Sequence, residues 1–309
     1  MVNWGILGTG MIARALAVSM QDSRGSQLKA VASRSIEKAE KFSEKYDCSA
    51  LEGYENLFND IEIDAIYVAT PHDSHFDLTL AALKAKKSVL CEKPMTLNST
   101  EAMVLIEAAR ENDVLLMEAF MYRTHPQTDK IRELVKEEFK DIPITIEASF
   151  GFSAQVPEEH RLVNPELGGG SIMDIGCYPM SMSRMIVGSQ NGKPFLNPIG
   201  IEAKGELSSR GIDLNASAEL LFENGSKALI SSAINKTLPN SVLISNKEKS
   251  IFIPEPWQCG EQKNRQSKII LKTKGEEDEV KEFKEDKSVF TYEIDHFVDL
   301  LKQNKKQSK

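Results

Sequence analysis

Val2-Asn3-Trp4-Gly5-Ile6-Leu7, running straight into Gly8-Thr9-Gly10-Met11-Ile12-Ala13, is the stretch that decides the fold. Six mostly apolar residues make a strand, and the G-x-G-x-x-A turn after it opens a helix. Each small residue has a physical task. Gly8 allows the tight turn, Gly10 lets backbone approach a pyrophosphate, and Ala13 lets the helix pack closely on the strand. The helix start, from Gly8 through Thr9, Gly10, Met11 and Ile12, then offers unpaired N–H groups and a positive dipole end to phosphates. A glycine turn alone is a common feature, so its weight depends on the pattern of the next hundred residues.

Those residues alternate between short apolar runs and helical patterns. Strands are expected at Val2–Leu7, Leu28–Ser33, Ala65–Thr70, Ser88–Cys91 and Val114–Ala119, with amphipathic helices at Ile36–Lys45, Phe76–Ala85 and Ser99–Glu111, the last capped by Ser99. That rhythm predicts an α/β fold: an N-terminal Rossmann doubly wound parallel sheet over residues 1–121. After Phe120 the rhythm changes. A helix over Pro126–Phe139, a strand over Ile144–Phe152 and a glycine-rich loop entering a helix near Met173–Ile186 precede a series of long strands. Ile199–Ser208, Leu214–Phe222, Lys227–Ala233, Ser241–Ile244, Ser250–Ile253 and Lys268–Lys272 read as an open, mostly antiparallel sheet, with Glu223-Asn224-Gly225-Ser226 as a hairpin turn. Gly275–Lys287 is mostly charged and reads as a solvated connection or edge strand. A helix over Val289–Gln303 and a frayed tail, Lys305-Lys306-Gln307-Ser308-Lys309, close a second, α/β domain assigned to residues 122–309.

Bulk properties narrow the function. With 38 basic and 46 acidic residues the net charge is -8, which argues against nucleic acid and anionic membrane surfaces as partners. No run reaches the roughly 18 apolar residues of a membrane span, and the first residues lack a basic, cleavable leader. The four cysteines, Cys48, Cys91, Cys177 and Cys259, are widely spaced, so neither disulfides nor zinc is indicated. A cytoplasmic location is expected. No histidine and carboxylate spacing points to a metal.

Cofactor choice is written at the end of the second strand. An acid there accepts hydrogen bonds from a ribose 2'-hydroxyl and repels a 2'-phosphate; this chain has Ser33-Arg34-Ser35, which attracts the phosphate. NADP is therefore favoured over NAD. Further on, two strands end in Thr70-Pro71-His72-Asp73-Ser74-His75 and Glu92-Lys93-Pro94. In an open parallel sheet both ends face the cofactor, and Pro94 fixes the exit of Lys93.

These motifs, together with Gly169-Gly170-Ser171-Ile172-Met173-Asp174-Ile175-Gly176-Cys177-Tyr178, resemble the Gfo/Idh/MocA (glucose-fructose oxidoreductase and inositol dehydrogenase) family over nearly the whole chain. Met117-Glu118-Ala119-Phe120-Met121-Tyr122-Arg123-Thr124-His125-Pro126 is similar to the dimeric dihydrodiol dehydrogenase and NADP-dependent D-xylose dehydrogenase branch. The resemblance implies that Thr70, Pro71, His72, His75, Glu92 and Arg123 lie on the cofactor side. It also implies that Lys93 lies near the substrate hydroxyl and the nicotinamide, that Asp174 is the carboxylate of the second-domain motif, and that Tyr178 is the acid/base residue. Many relatives place histidine where Tyr178 stands.

The same residues make chemical sense. Oxidising a secondary alcohol needs a hydride acceptor, a base for the hydroxyl proton and a positive group for the developing alkoxide. Tyrosine has an ordinary pKa of about 10, so it needs a cation such as Lys93 to serve near neutrality. Asp174, four residues before Tyr178, orients the phenol, binds a sugar hydroxyl, or caps the helix behind the glycine loop. His75 reads equally as a helix start and as a cofactor neighbour. Arg123 and His125 meet phosphate or substrate, or pin the crossing between domains; His160 and Arg161, in a polar loop before Gly168, line the substrate mouth or, the simpler reading, form a solvated loop, and Cys91 and Cys177 read as small buried residues.

The expected activity is hydride transfer between NAD(P) and a sugar or cyclic diol, a small polyhydroxylated substrate. Two alternatives stand beside it: a reductase of a keto or imine compound, and a non-catalytic NADP-binding sensor. An uncovered apolar sheet face predicts a homodimer or higher homo-oligomer.

Overall fold

In the computed structural model, which describes residues 1–303, Val2–Leu7 forms the central strand β1 of a six-stranded sheet. Its neighbours are β2 (Ser26–Ser33), β3 (Ser49–Glu52), β4 (Ala65–Val68), β5 (Ser88–Glu92) and β6 (Leu116–Ala119), all parallel, in the order β3-β2-β1-β4-β5-β6. The order reverses between β1 and β4, the place where doubly wound sheets bind ligands. Side chains alternate between two cores. Trp4, Ile6, Tyr67 and Leu90 enter one, Leu7, Ile66, Val68, Val89 and Cys91 the other, so both faces are buried and the strands read as unbroken apolar runs.

The helices are α1 (Met11–Met20), α2 (Ile36–Tyr46), α3 (Glu55–Asn59), α4 (His75–Lys84) and α5 (Ser99–Glu111). Ser35 caps α2 by accepting from the Lys38 amide, and Asp47 ends it in the left-handed region. The cap of α5 is Asn98, not Ser99: its Oδ1 accepts from the Glu101 amide while Glu101 accepts from Leu97, a reciprocal pair. Two short elements escape the sequence reading, β3 and α3. A four-residue edge strand that is only half-buried carries too little apolar signal.

The chain divides into Met1–Met121 plus the segment from Lys287 onward, and Tyr122–Asp286. The last helix, α8 (Val289–Lys302), thus corrects the expectation of a second domain running to residue 309. It packs on α1 in the first unit through Ile294, Phe297, Val298 and Leu300, with Phe297 against Trp4. Polar contacts pin it there: Ser288 Oγ lies 2.6 Å from Ser19 Oγ, and Thr291 Oγ1 donates to the Ser19 carbonyl at 3.0 Å. The expected frayed tail, Lys305 to Lys309, falls outside the described residues.

The second unit holds an eight-stranded sheet with α6 (Pro126–Glu138) and α7 (Cys177–Gln190). Its strands are β7 (Thr145–Gly151), β8 (Gly200–Leu207), β9 (Asp213–Leu221), β10 (Lys227–Ala233), β11 (Val242–Ser245), β12 (Lys249–Ile253), β13 (Gln266–Thr273) and β14 (Glu279–Lys284). The order is β14-β13-β12-β11-β7-β10-β9-β8, antiparallel except for β7 beside β10. The charged stretch after Gly275 contains the edge strand β14. The two helices pack on each other, α7 on β7 and β10, and α6 on β13. The opposite face is less apolar than expected, since Leu221 and Leu229 share it with Glu147, Glu219 and Lys227.

Candidate active site

In the first unit, the turn after β1 is held open by steric necessity. Gly8 has φ +102°, and a Cβ there would sit 2.7 Å from the Ala69 carbonyl oxygen. Backbone bonds from Gly8 to Ala32 and from Ala69 to Leu7 fix it between β2 and β4. Gly10, extended, caps α1, and the place a Cβ would take is open. Met11 is 88% exposed, Ile12 packs on the core and Ala13 is fully buried. Thr9 turns its carbonyl to the Arg14 guanidinium. No acidic residue stands in the first turn of α1. An open backbone turn at an acid-free helix start fits a dinucleotide pyrophosphate.

At the end of β2, the two serines are occupied. Ser33 Oγ accepts from the Ser35 amide, and Ser35 caps α2 while donating to Glu37, whose carboxyl it holds below the usual range. Arg34 is exposed beside the Tyr54 hydroxyl and forms no ion pair among the described residues. The salt partners Glu37 and Glu40 are not taken.

The loops after β4 and β5 are tied together by His75. Its Nδ1 lies 2.8 Å from the Pro94 carbonyl and its Nε2 2.8 Å from the Thr70 carbonyl, so both ring nitrogens are engaged inside the protein. Burial pushes this imidazole below its ordinary pKa. Thr70 Oγ1 accepts from Ser74, Pro71 precedes the turn His72–Ser74, and His72 packs beside His75. The Lys93–Pro94 peptide is cis. Glu92 points inward: it accepts from the Tyr67 hydroxyl and from the Lys93 amide. Lys93 is half-buried, and the Met95 amide after it is held by Glu118 at 2.8 Å. Sequence reading missed Tyr67 and Glu118, which are one residue each in apolar strands. Cys91 is fully buried and its thiol is pushed up by burial.

In the second unit, the glycine loop is forced by its neighbours. A Cβ on Gly169 would meet three carbonyl oxygens at 2.9 Å, and one on Gly170 (φ +121°) would collide with Asp213. Asp213, from β9, accepts from Ser171 Oγ and the Ile172 amide, both at 2.7 Å. The capping role considered for Asp174 therefore belongs to Asp213. Ile172–Gly176 then forms a π-helical turn before α7, a local geometry common at functional sites.

Asp174, only 4% exposed, accepts from Arg161 at 2.8 Å. Arg161 is an exposed loop residue, as expected, whose guanidinium nevertheless pairs with this buried carboxylate. Tyr178, 3% exposed, sits among aromatic rings: Phe150 edge-on at 5.3 Å, Trp257 at 5.8 Å and Tyr122 at 5.9 Å, with Phe150 and Trp257 stacked. Burial pushes the Tyr122 hydroxyl up to about 12, and it donates to Ser181, as does Arg123 at 3.4 Å. His125 caps α6, and burial lowers it to about 4. Phe150 and Trp257 were invisible in sequence because they come from β7 and the loop after β12. No cluster of three or more metal-ligating side chains occurs among the described residues, and no described helix is long and apolar enough to cross a membrane.

Two family models match: an oxidoreductase family with an NAD-binding Rossmann fold over residues 2–120, and the GFO/IDH/MocA C-terminal domain over residues 128–251. The chain belongs to the Gfo/Idh/MocA oxidoreductase family. Within it, the chain is 36% identical over 254 residues to trans-1,2-dihydrobenzene-1,2-diol dehydrogenase of Xenopus tropicalis, covering 81% of this chain and 74% of the relative. It is 31% identical to D-xylose 1-dehydrogenase (NADP(+)) 2 of Haloferax volcanii, covering 75% and 69%. An aldose-aldose oxidoreductase from Caulobacter crescentus has the same fold, with TM-score 0.86 and 24% identity over 99% of this chain and 90% of that one. This Gfo/Idh/MocA member is thus an NAD(P)-dependent oxidoreductase.

Proposed function

We propose that the chain is an NADP-preferring dehydrogenase that oxidises a secondary alcohol on an aldose or a cyclic diol, the substrates named for the relatives in Xenopus and Haloferax. The observation that carries the cofactor choice is Arg34, an exposed guanidinium without an ion pair among the described residues, where an NAD-specific site places an acid. Gly8, Thr9, Gly10, Met11 and Ile12 hold the pyrophosphate, and Arg34 the 2'-phosphate. A nicotinamide dinucleotide held by these residues would supply the hydride acceptor. Tyr178 takes the hydroxyl proton, Lys93 stabilises the developing alkoxide, and Asp174, steadied by Arg161, binds a substrate hydroxyl or the phenol. Aromatic rings beside Tyr178 favour a ring-shaped substrate, whose flat apolar face packs on the half-buried Phe150.

The chain works as a homodimer in a reducing, cytoplasmic setting. All four cysteines are free thiols. Ile201 and Leu207 are exposed on the edge strand β8, with Ile199 just before it, an arrangement that invites a second copy. Steady-state assays with D-xylose, other aldoses, trans-dihydrodiols and the matching carbonyl compounds, each with both cofactors, test the activity. Faster NADP-linked alcohol oxidation supports it. Turnover of ketones or imines alone makes the protein a reductase, and cofactor binding without any turnover makes it a sensor.

A further inference from the structure

The last helix carries an acid into the middle of the first unit. Glu293 of α8 is fully buried, and neither of its carboxyl oxygens has a hydrogen-bond partner. The charged group that acts on it is Glu92, the first residue of Glu92-Lys93-Pro94, and the Tyr67 hydroxyl feels both carboxyls. The elements packed on α8, namely α1 and β2, carry the charged groups Arg14, which is exposed, and Lys29, which is half-buried; Lys93 and Glu118 also act on Glu92.

Two carboxylates in one dry site do not both ionise, because each lone buried charge costs several kcal/mol. Hydrogen bonds decide which one stays charged. Glu92 accepts from Tyr67 and from the Lys93 amide and lies in the field of the Lys93 ammonium, whereas Glu293 has no donor at all. We infer that Glu293 is an uncharged carboxylic acid, so that the one buried negative charge of this region stays on Glu92 as the counter-ion of Lys93. Burial pushes both carboxyls upward, in keeping with Glu293 holding its proton.

The link to turnover rests on the role proposed for Lys93; the protonation does not, and it is read without any assay of activity. Infrared difference spectra of the full chain should show a protonated carboxylic-acid band at neutral pH that disappears in Glu293→Gln. Stability gives a second reading. A carboxyl held protonated in the fold but ionised in the unfolded chain lowers stability as pH rises past its ordinary value of about 4.3. Glu293→Gln, which keeps the neutral shape, should therefore gain on the parent steadily between about pH 4.3 and neutrality. No acid band together with a constant stability gap would overturn the inference.

Kinetics then test the counter-ion. Glu92→Gln removes the charge, whereas Glu293→Gln leaves it on Glu92. In Glu92→Gln kcat should fall by about tenfold, and the double variant should show the product of the two single effects. A loss in Glu293→Gln as large as in Glu92→Gln would refute the assignment of the charge to Glu92, even if Lys93 itself proves essential.

Discussion

The two sheets of this protein are built on opposite plans, and the difference governs how their chemistry is encoded. In the parallel sheet both faces are buried, so β4 and β5 are closed to solvent along their length and chemistry is confined to the loops at their ends. Its working residues come in contiguous runs: Gly8 to Ala13, Ser33 to Ser35, Glu92 to Pro94. In the antiparallel sheet, by contrast, one face carries α6 and α7, and the groups around Tyr178 are gathered from β7, from the loop after β12 and from the π-helical turn. A short motif reads the first plan; only a folded structure reads the second.

Substitutions in the two units sharpen that contrast. Lys93→Ala should have the largest effect, lowering kcat on the order of 10³-fold while NADPH still binds, since it removes the charge that meets the alkoxide. Single-turnover kinetics with a fluorescence titration separate the two. Tyr178→Phe should lower kcat by about 10²-fold, the usual worth of one acid/base group, with KM little changed. An equal loss in both variants would erase the proposed division of labour.

Scaffold changes should be milder. Gly8→Ala should cost about 2 kcal/mol in urea unfolding, because its φ of +102° and the Ala69 carbonyl leave no room for a Cβ. Ile201→Lys, on the exposed edge strand, should move stability by no more than about 0.5 kcal/mol yet shift light scattering from dimer to monomer. A dimer unchanged by that lysine would place the contact elsewhere.

How much the sequence revealed tracks the same divide. Strand β1 and helix α5 were legible to the residue, since uninterrupted apolar runs and capped amphipathic periods leave few choices. The attachment of α8 to α1 was not, because an apolar helical face does not say which neighbour it covers. Gly169 and Gly170 were visible as a motif, but their reason, the carboxylate of Asp213, lies about forty residues away and leaves no local trace. Arg161 was legible as a surface charge and remains one, but its pairing with the buried Asp174 was not legible. His75 and Glu92 were legible as motif members, while their inward hydrogen bonds were not.

Every role proposed for Lys93 and Tyr178 requires that the turn after β1 and Arg34 bind a 2'-phosphorylated dinucleotide. Titrating NADPH and NADH separately against tryptophan fluorescence, in the parent chain and in Arg34→Ala, tests it directly. Saturable NADPH binding at least about tenfold tighter than NADH, with the gap closed in Arg34→Ala, is the expected result, since a charge-assisted bond is worth about 1.5–3 kcal/mol. Equal affinity for both in the parent would contradict the phosphate preference, and no binding of either would contradict the reading of Gly8 to Ile12.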